Sequence, residues 1–220
     1  MNNSFTSYFE NSLNYIDSGE FDMAIKTLTQ AIDLKPDDSD SFYYRGLAKY
    51  LTKDPDAVND FNIAINLNNE NYFAYYNRGI IFFEEKKYQL AINDLTKFLE
   101  YDSSSYYAYY IRGQAKHFIN DYSGAINDYD LAIEYEEDEA DVFYNRGLAK
   151  IALKQTVKAI QDFNRALDRD SGKAEFYLQR GLARIKLKDL SGATVDFEMA
   201  CELNPNCELA QNQLKQIKTS

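Results

Sequence analysis

Five arginines and five aspartates recur in step along this chain of 220 residues. Arg45, Arg78, Arg112, Arg146 and Arg180 each stand directly before a glycine, and Asp60, Asp94, Asp128, Asp162 and Asp196 each lie three residues after an alanine. The planar fork of arginine binds a carboxylate bidentately while its stem packs on apolar surface. The joint recurrence therefore predicts ion pairs, formed either inside one repeating unit or with the arginine of the next. The alternative is that the arginines reach a phosphate or carboxylate on a partner, but a place beside a packed glycine favours the internal ladder. Other reactive groups are sparse. His117 is the only histidine, and no serine, cysteine or carboxylate constellation accompanies it. Cys201 and Cys207 stand six apart with neither a CxxC pair nor a nearby histidine, which argues against zinc and predicts one buried and one half-exposed thiol. With no nucleophile–base pair, metal cluster or phosphate loop, the sequence predicts no enzyme, no cofactor and no metal.

The elements that position these groups repeat. Glycines fall at 46, 79, 113, 147 and 181, spaced by 33, 34, 34 and 34 residues. An aromatic precedes each by four residues, as in Phe42, Tyr109 and Phe143. About twelve residues later come an alanine, an aromatic or leucine four on, and usually an alanine three after that, as in Ala125, Tyr129 and Ala132. Offsets of four and seven put three side chains on one stripe of a helix. Two such helices form an antiparallel hairpin, and small residues let the backbones approach, with Gly46 expected to face Ala57 and Gly113 to face Ala125. Between the helices lie Ser18-Gly19-Glu20, Lys53-Asp54-Pro55, Lys86-Lys87, Asn120-Asp121 and Lys188-Asp189. Asp54 before Pro55 reads as an N-cap with proline in the first helical turn. Pro36 and Pro205 read as stops after second helices.

These landmarks resemble the tetratricopeptide repeat, here with an Arg-Gly signature. The resemblance implies an all-α fold, a right-handed α-solenoid of six helix-turn-helix repeats. They fall at residues 5–38, 39–71, 72–105, 106–139, 140–173 and 174–207, in a single domain over 1–220. Ser12 replaces glycine in the first repeat, the second lacks one residue in its internal turn, and Phe98 replaces an alanine, so the third must splay or repack. Residues 208–220 read as a capping helix with Leu209, Leu214 and Ile217 on its apolar stripe, because each repeat buries its apolar face only on a neighbour.

The net charge of −11 opposes nucleic-acid binding. Residues 142–188 nevertheless carry a local balance of +7, following an acidic run of Glu134, Glu136, Glu137, Asp138, Glu139 and Asp141. Such runs read mainly as solvated faces. No stretch has the length and apolarity of a membrane span. The opening Met1-Asn2-Asn3-Ser4-Phe5 lacks the basic and apolar regions of a secretory signal, which predicts a cytoplasmic protein.

In the family it resembles, first helices line a concave groove that holds a peptide or partner helix. The matching positions are Tyr43, Tyr76, Tyr110 and Tyr144; then Leu47, Ile80, Gln114 and Leu148; then Tyr50, Phe83, His117 and Ile151. Tyrosine suits an interface, offering large area with one polar tip, although the same rings could serve only to pack adjacent helices. Relatives that grip acidic chaperone tails use lysine and asparagine in the first repeats, where this chain has Phe9, Leu13, Tyr43, Tyr44, Tyr76 and Ile80. The expected function is a scaffold or adaptor for a protein or peptide partner. The alternatives are a chaperone for secreted or membrane-inserting substrates and a solenoid that self-associates through its terminal faces.

Overall fold

The computed structural model describes residues 4–136 and 139–219. The first three residues of the opening segment, Glu137 and Asp138 of the acidic run, and Ser220 of the cap lie outside the described residues. Among those described there are thirteen helices and no strand. Backbone contacts gather them into two compact units, Met1–Ser103 and Ser104–Ser220.

The first unit holds α1 (Phe5–Asp17), α2 (Phe21–Leu34), α3 (Ser39–Leu51), α4 (Ala57–Leu67), α5 (Tyr72–Glu84) and α6 (Tyr88–Tyr101). The second holds α7 (Tyr106–Phe118), α8 (Tyr122–Tyr135), α9 (Ala140–Ala152), α10 (Thr156–Arg169), α11 (Ala174–Lys186), α12 (Leu190–Leu203) and α13 (Glu208–Lys218). Consecutive helices pair as hairpins. Within the first unit α2 packs on α3 and α4 on α5; within the second α8 packs on α9, α10 on α11 and α12 on α13. First helices also meet, α1 with α3 and α3 with α5, and likewise α7 with α9 and α9 with α11. Each unit therefore presents a face lined by first helices.

Every hairpin turn is built the same way. Gly19, Lys53, Lys86, Asn120, Lys154 and Lys188 all have φ between 60° and 77°. The residue after each sends its N–H back to close the first helix, as Asp121 N does to Lys116 O at 2.9 Å and Gln155 N to Lys150 O at 2.8 Å. This is the left-handed helix stop that glycine adopts at least cost. Four of the six positions hold lysine, so Lys86→Gly is expected to raise unfolding free energy by about 0.5–1 kcal/mol in urea titration. A loss of stability would contradict this reading of the turn.

The core follows the stripes, with corrections. Phe42, Tyr109 and Phe143 are buried, as are Phe61, Leu95, Tyr129, Phe163 and Phe197. The glycines face these second-helix side chains rather than the alanines: a Cβ at Gly46 would lie 2.9 Å from Phe61 Cε1, and one at Gly113 would lie 2.8 Å from Tyr129 Cε1. Asp54 does not cap α4. It accepts from Asp56 N at 2.9 Å in a turn that also takes up Pro55, and the helix begins at Ala57. In the first hairpin Ser12 is fully buried in glycine's place and donates its hydroxyl to Phe9 O at 2.6 Å. Phe98 is accommodated by repacking, its ring centroid 4.6 Å from that of Tyr76 and 6.2 Å from that of Phe73. On α13, Leu214 and Ile217 pack on Phe197 and Ala200, but Leu209 is exposed and Ala210 takes the buried place. Cys201 and Cys207 are free thiols, and neither is fully buried. Among the described residues, no helix is long and apolar enough to cross a membrane.

Candidate functional site

The arginines and aspartates meet within each hairpin. Nε and Nη2 of Arg45, Arg78, Arg112, Arg146 and Arg180 donate to Asp60, Asp94, Asp128, Asp162 and Asp196 at 2.6–3.1 Å. The remaining fork nitrogen, Nη1, reaches back to the preceding hairpin: Arg45 donates to Thr29 Oγ1 at 3.3 Å. Arg78 donates to Asn62 Oδ1 at 2.6 Å, Arg146 to Asp130 Oδ1 at 2.6 Å and Arg180 to Asn164 Oδ1 at 2.8 Å. Each guanidinium also sits 5.3–5.6 Å from the ring three residues before it: Phe42, Tyr75, Tyr109, Phe143 or Tyr177. A second cation, four residues after the arginine, shares the carboxylate in four hairpins. Lys49, Lys116, Lys150 and Arg184 approach their aspartates at 2.6–2.9 Å. Sequence reasoning missed this cation, although its i,i+4 spacing puts it on the arginine's face. In α5 the place is Phe82, and Arg78 stacks on it at 5.6 Å. The aspartates are at most 6% exposed. Burial works against the Arg146 charge, but hydrogen bonds and attraction from Asp162 and Asp130 outweigh it and push its pKa up. These charges are committed to holding helices together.

The twelve groove candidates behave alike: all are half-buried. Six belong to the first unit. There Tyr43 packs 4.8 Å from Tyr44 and 6.3 Å from Phe73, and Tyr50 donates to Glu84 Oε1 at 2.9 Å. Burial, with the neighbouring Tyr44, pushes the Tyr43 hydroxyl up to about 12, against the opposing hydrogen bond from Asn77. Tyr76 packs on Phe98, and Leu47, Ile80 and Phe83 are half-buried.

The second unit holds the other six. Tyr110 Oη accepts from both Gln114 Nε2 and Asn145 Nδ2 at 3.1 Å, and Asn145 also donates to Asp141 O at 2.8 Å. Tyr144 lies against Phe176, centroids 4.7 Å apart, and burial pushes its hydroxyl up to about 12. Burial also raises the Tyr110 pKa, with Asp141 adding to the effect. His117 meets Tyr122 edge-on at 5.1 Å, and burial lowers its pKa. Leu148 and Ile151 supply aliphatic surface. Sequence reasoning passed over Asn77 and Asn145, two residues before their glycines, whose bonds span neighbouring hairpins.

Each resolved pKa shift in this lining favours the neutral form of the tyrosine or histidine concerned. The His117 shift also has a stability consequence. Its folded pKa lies below the ordinary 6.5, so the unfolded chain takes up the proton first as pH falls. The contribution is complete above about 6.5 and is lost on acidification below it. Unfolding free energy measured from pH 7 to 5 is expected to fall less steeply in His117→Phe than in the parent protein. Equal slopes would contradict the burial of a neutral imidazole.

Elsewhere, Lys154, Lys158, Lys186 and Lys188 are placed around the turns of the last two hairpins. Glu134, Glu136 and Glu139 of the acidic run are exposed, while Asp141 pairs with Lys173 at 2.7 Å. Among the described residues no group of three or more His, Cys, Asp or Glu could hold a metal ion.

Residues 13–52 match a family model described as TPR repeat, and residues 118–174 match one described as Tetratricopeptide repeat. A further model of the latter description matches 74–105 and 174–207. No curated protein sequence matches the chain. Among solved structures, YrrB, described as a TPR protein with an unusual peptide-binding site, is 18% identical with a TM-score of 0.78, over 86% of this chain and 97% of YrrB. MamA is 26% identical with a TM-score of 0.70, over 73% of this chain and 94% of its own. Pseudomonas aeruginosa pilF is 16% identical with a TM-score of 0.73, over 96% of this chain and 97% of its own.

Proposed function

Because the chain belongs to the tetratricopeptide-repeat family, whose members are non-catalytic protein-interaction modules, we propose that it is a scaffold that binds an uncharged protein segment on its first-helix faces. The observation that supports this reading is the lining itself. Apart from the amide of Gln114, its side chains are half-buried and aromatic or aliphatic, whereas the arginines of the same helices are consumed internally. Half-buried tyrosines held by neighbours are preorganised, so they lose little conformational freedom when a ligand covers them. The peptide-binding site attributed to YrrB fits the same use of the fold. Self-association by stacking is less well supported at the C-terminal end, where α13 covers the apolar surface of α12.

The competing surface within the same chain is the lysine edge. Salt separates the two, because exposed charges are screened over about 8–10 Å at physiological ionic strength. A peptide selected from a display library against the purified protein is expected to keep its affinity within about twofold between roughly 0.05 and 0.5 M salt. A fall of about tenfold or more over that range would assign binding to the lysines instead.

A further inference from the structure

The fourth hairpin departs from the other five at three places at once. Gln114 stands where the others have Leu13, Leu47, Ile80, Leu148 and Leu182. His117 stands where they have Ile16, Tyr50, Phe83, Ile151 and Ile185. Tyr129 stands where they have Leu28, Phe61, Leu95, Phe163 and Phe197. These three polar side chains converge on one cavity of about 110 Å³ in the second unit, walled also by Phe118, Asn145 and Leu148. Tyr129 is fully buried, and its hydroxyl has no hydrogen-bond partner; the same holds for Nδ1 of His117. A buried donor left without a partner carries its full desolvation penalty, and phenylalanine would avoid it. The polar atoms are therefore better explained by something they bind than by packing.

From this geometry we infer that the cavity is a specificity pocket for a primary carboxamide, the side chain of asparagine or glutamine in the bound segment. Tyr129 Oη donates to the carboxamide oxygen. His117, with its proton on Nε2, accepts from the amide NH₂ through Nδ1. Gln114 and Asn145 turn their own NH₂ groups to Tyr110, which leaves their amide oxygens as further acceptors. Phe118, which also lines the cavity, is 56% exposed. No charged side chain lines the cavity, so a carboxylate or ammonium group would be desolvated there without a counter-charge.

This assignment rests on the proposed peptide-binding face, and its test separates the two. The imidazole resonances of His117 are unambiguous, because the protein has no other histidine. Titration with N-acetyl-asparagine methylamide is expected to shift them saturably, and N-acetyl-alanine methylamide is expected to leave them unmoved. In Tyr129→Phe, which reproduces the residue of three other hairpins, the melting temperature holds or rises while affinity for the asparagine probe falls about tenfold or more. Absence of a saturable shift, equal binding of the alanine probe, stronger binding of N-acetyl-aspartate methylamide, or undiminished affinity in Tyr129→Phe would each overturn the assignment. Peptides selected by display on the parent protein should carry asparagine or glutamine at one fixed position. Tight peptides without either would remove the pocket while leaving the wider proposal standing.

Discussion

Asp162→Ala is expected to lower unfolding free energy by about 3–5 kcal/mol, the cost of breaking a buried ion pair from one side. Asp162 accepts from Arg146 at 3.1 and 2.6 Å and from Lys150 at 2.6 Å, and it is 3% exposed. Its removal takes away the carboxylate that Lys150 pairs with and leaves Arg146 paired with Asp130. The two cations then face each other at a partly buried site, where their repulsion is screened less than at the open surface. Glu100→Ala is the contrasting variant. Its partner Lys97 and Glu100 are both about half exposed, and pairs of that kind contribute at most about 1 kcal/mol. Urea titration of the two variants checks the contrast. A loss below about 1 kcal/mol for Asp162→Ala would show that the ladder does not hold the hairpins together.

The second large effect concerns helix crossing. Gly147→Leu is expected to cost about 1–3 kcal/mol or more by overpacking. A Cβ at Gly147 would lie 2.6 Å from Phe163 Cε1 and 2.9 Å from Cδ1, and the Phe163 ring is fully buried. The flat ring can neither fold away nor slide without moving α10 from α9. At Gly79 the nearest atom is Leu95 Cγ at 3.1 Å, on a side chain that can change rotamer. Gly79→Ala should therefore cost less than Gly147→Ala. Thermal unfolding of the three variants tests the order, and an unchanged melting temperature for Gly147→Leu would mean the crossing is placed wrongly.

Much of the fold is legible in the sequence because it repeats. The glycine register locates the hairpins, and the offsets of four and seven identify Phe61, Tyr129 and Phe163 as core. What those offsets do not carry is the axial shift between two antiparallel helices, which depends on turn geometry. That is why the pattern alone pairs the glycines with Ala57 and Ala125 instead of Phe61 and Tyr129. The same limit explains Asp54 and Pro55, in a hairpin whose glycine-to-alanine spacing is one residue shorter than its counterparts and whose second helix starts only at Ala57. Leu209 is misplaced by its pattern because α13 has no companion repeat from which to copy a register. The ion pairs show themselves as joint recurrence, whereas the sharing of four of the carboxylates with Lys49, Lys116, Lys150 or Arg184 is seen in the assembled hairpins. The candidate lining follows from position alone. The hydrogen bonds of Asn145 to Tyr110 and the unpartnered Tyr129 hydroxyl emerge only when neighbouring hairpins are packed.

The claim that partners bind the aromatic first-helix faces is tested most directly by one affinity measurement. A peptide selected on the parent protein is titrated into the Tyr76→Ala, Tyr110→Ala double variant, with far-ultraviolet circular dichroism confirming retained helicity. Truncating tyrosines central to an interface costs about 2 kcal/mol or more, so affinity should fall about thirtyfold or further. Reversing Lys154, Lys158, Lys186 and Lys188 to glutamate should leave it unchanged. Normal affinity in the tyrosine variant, with binding abolished by the charge reversal, would contradict the account.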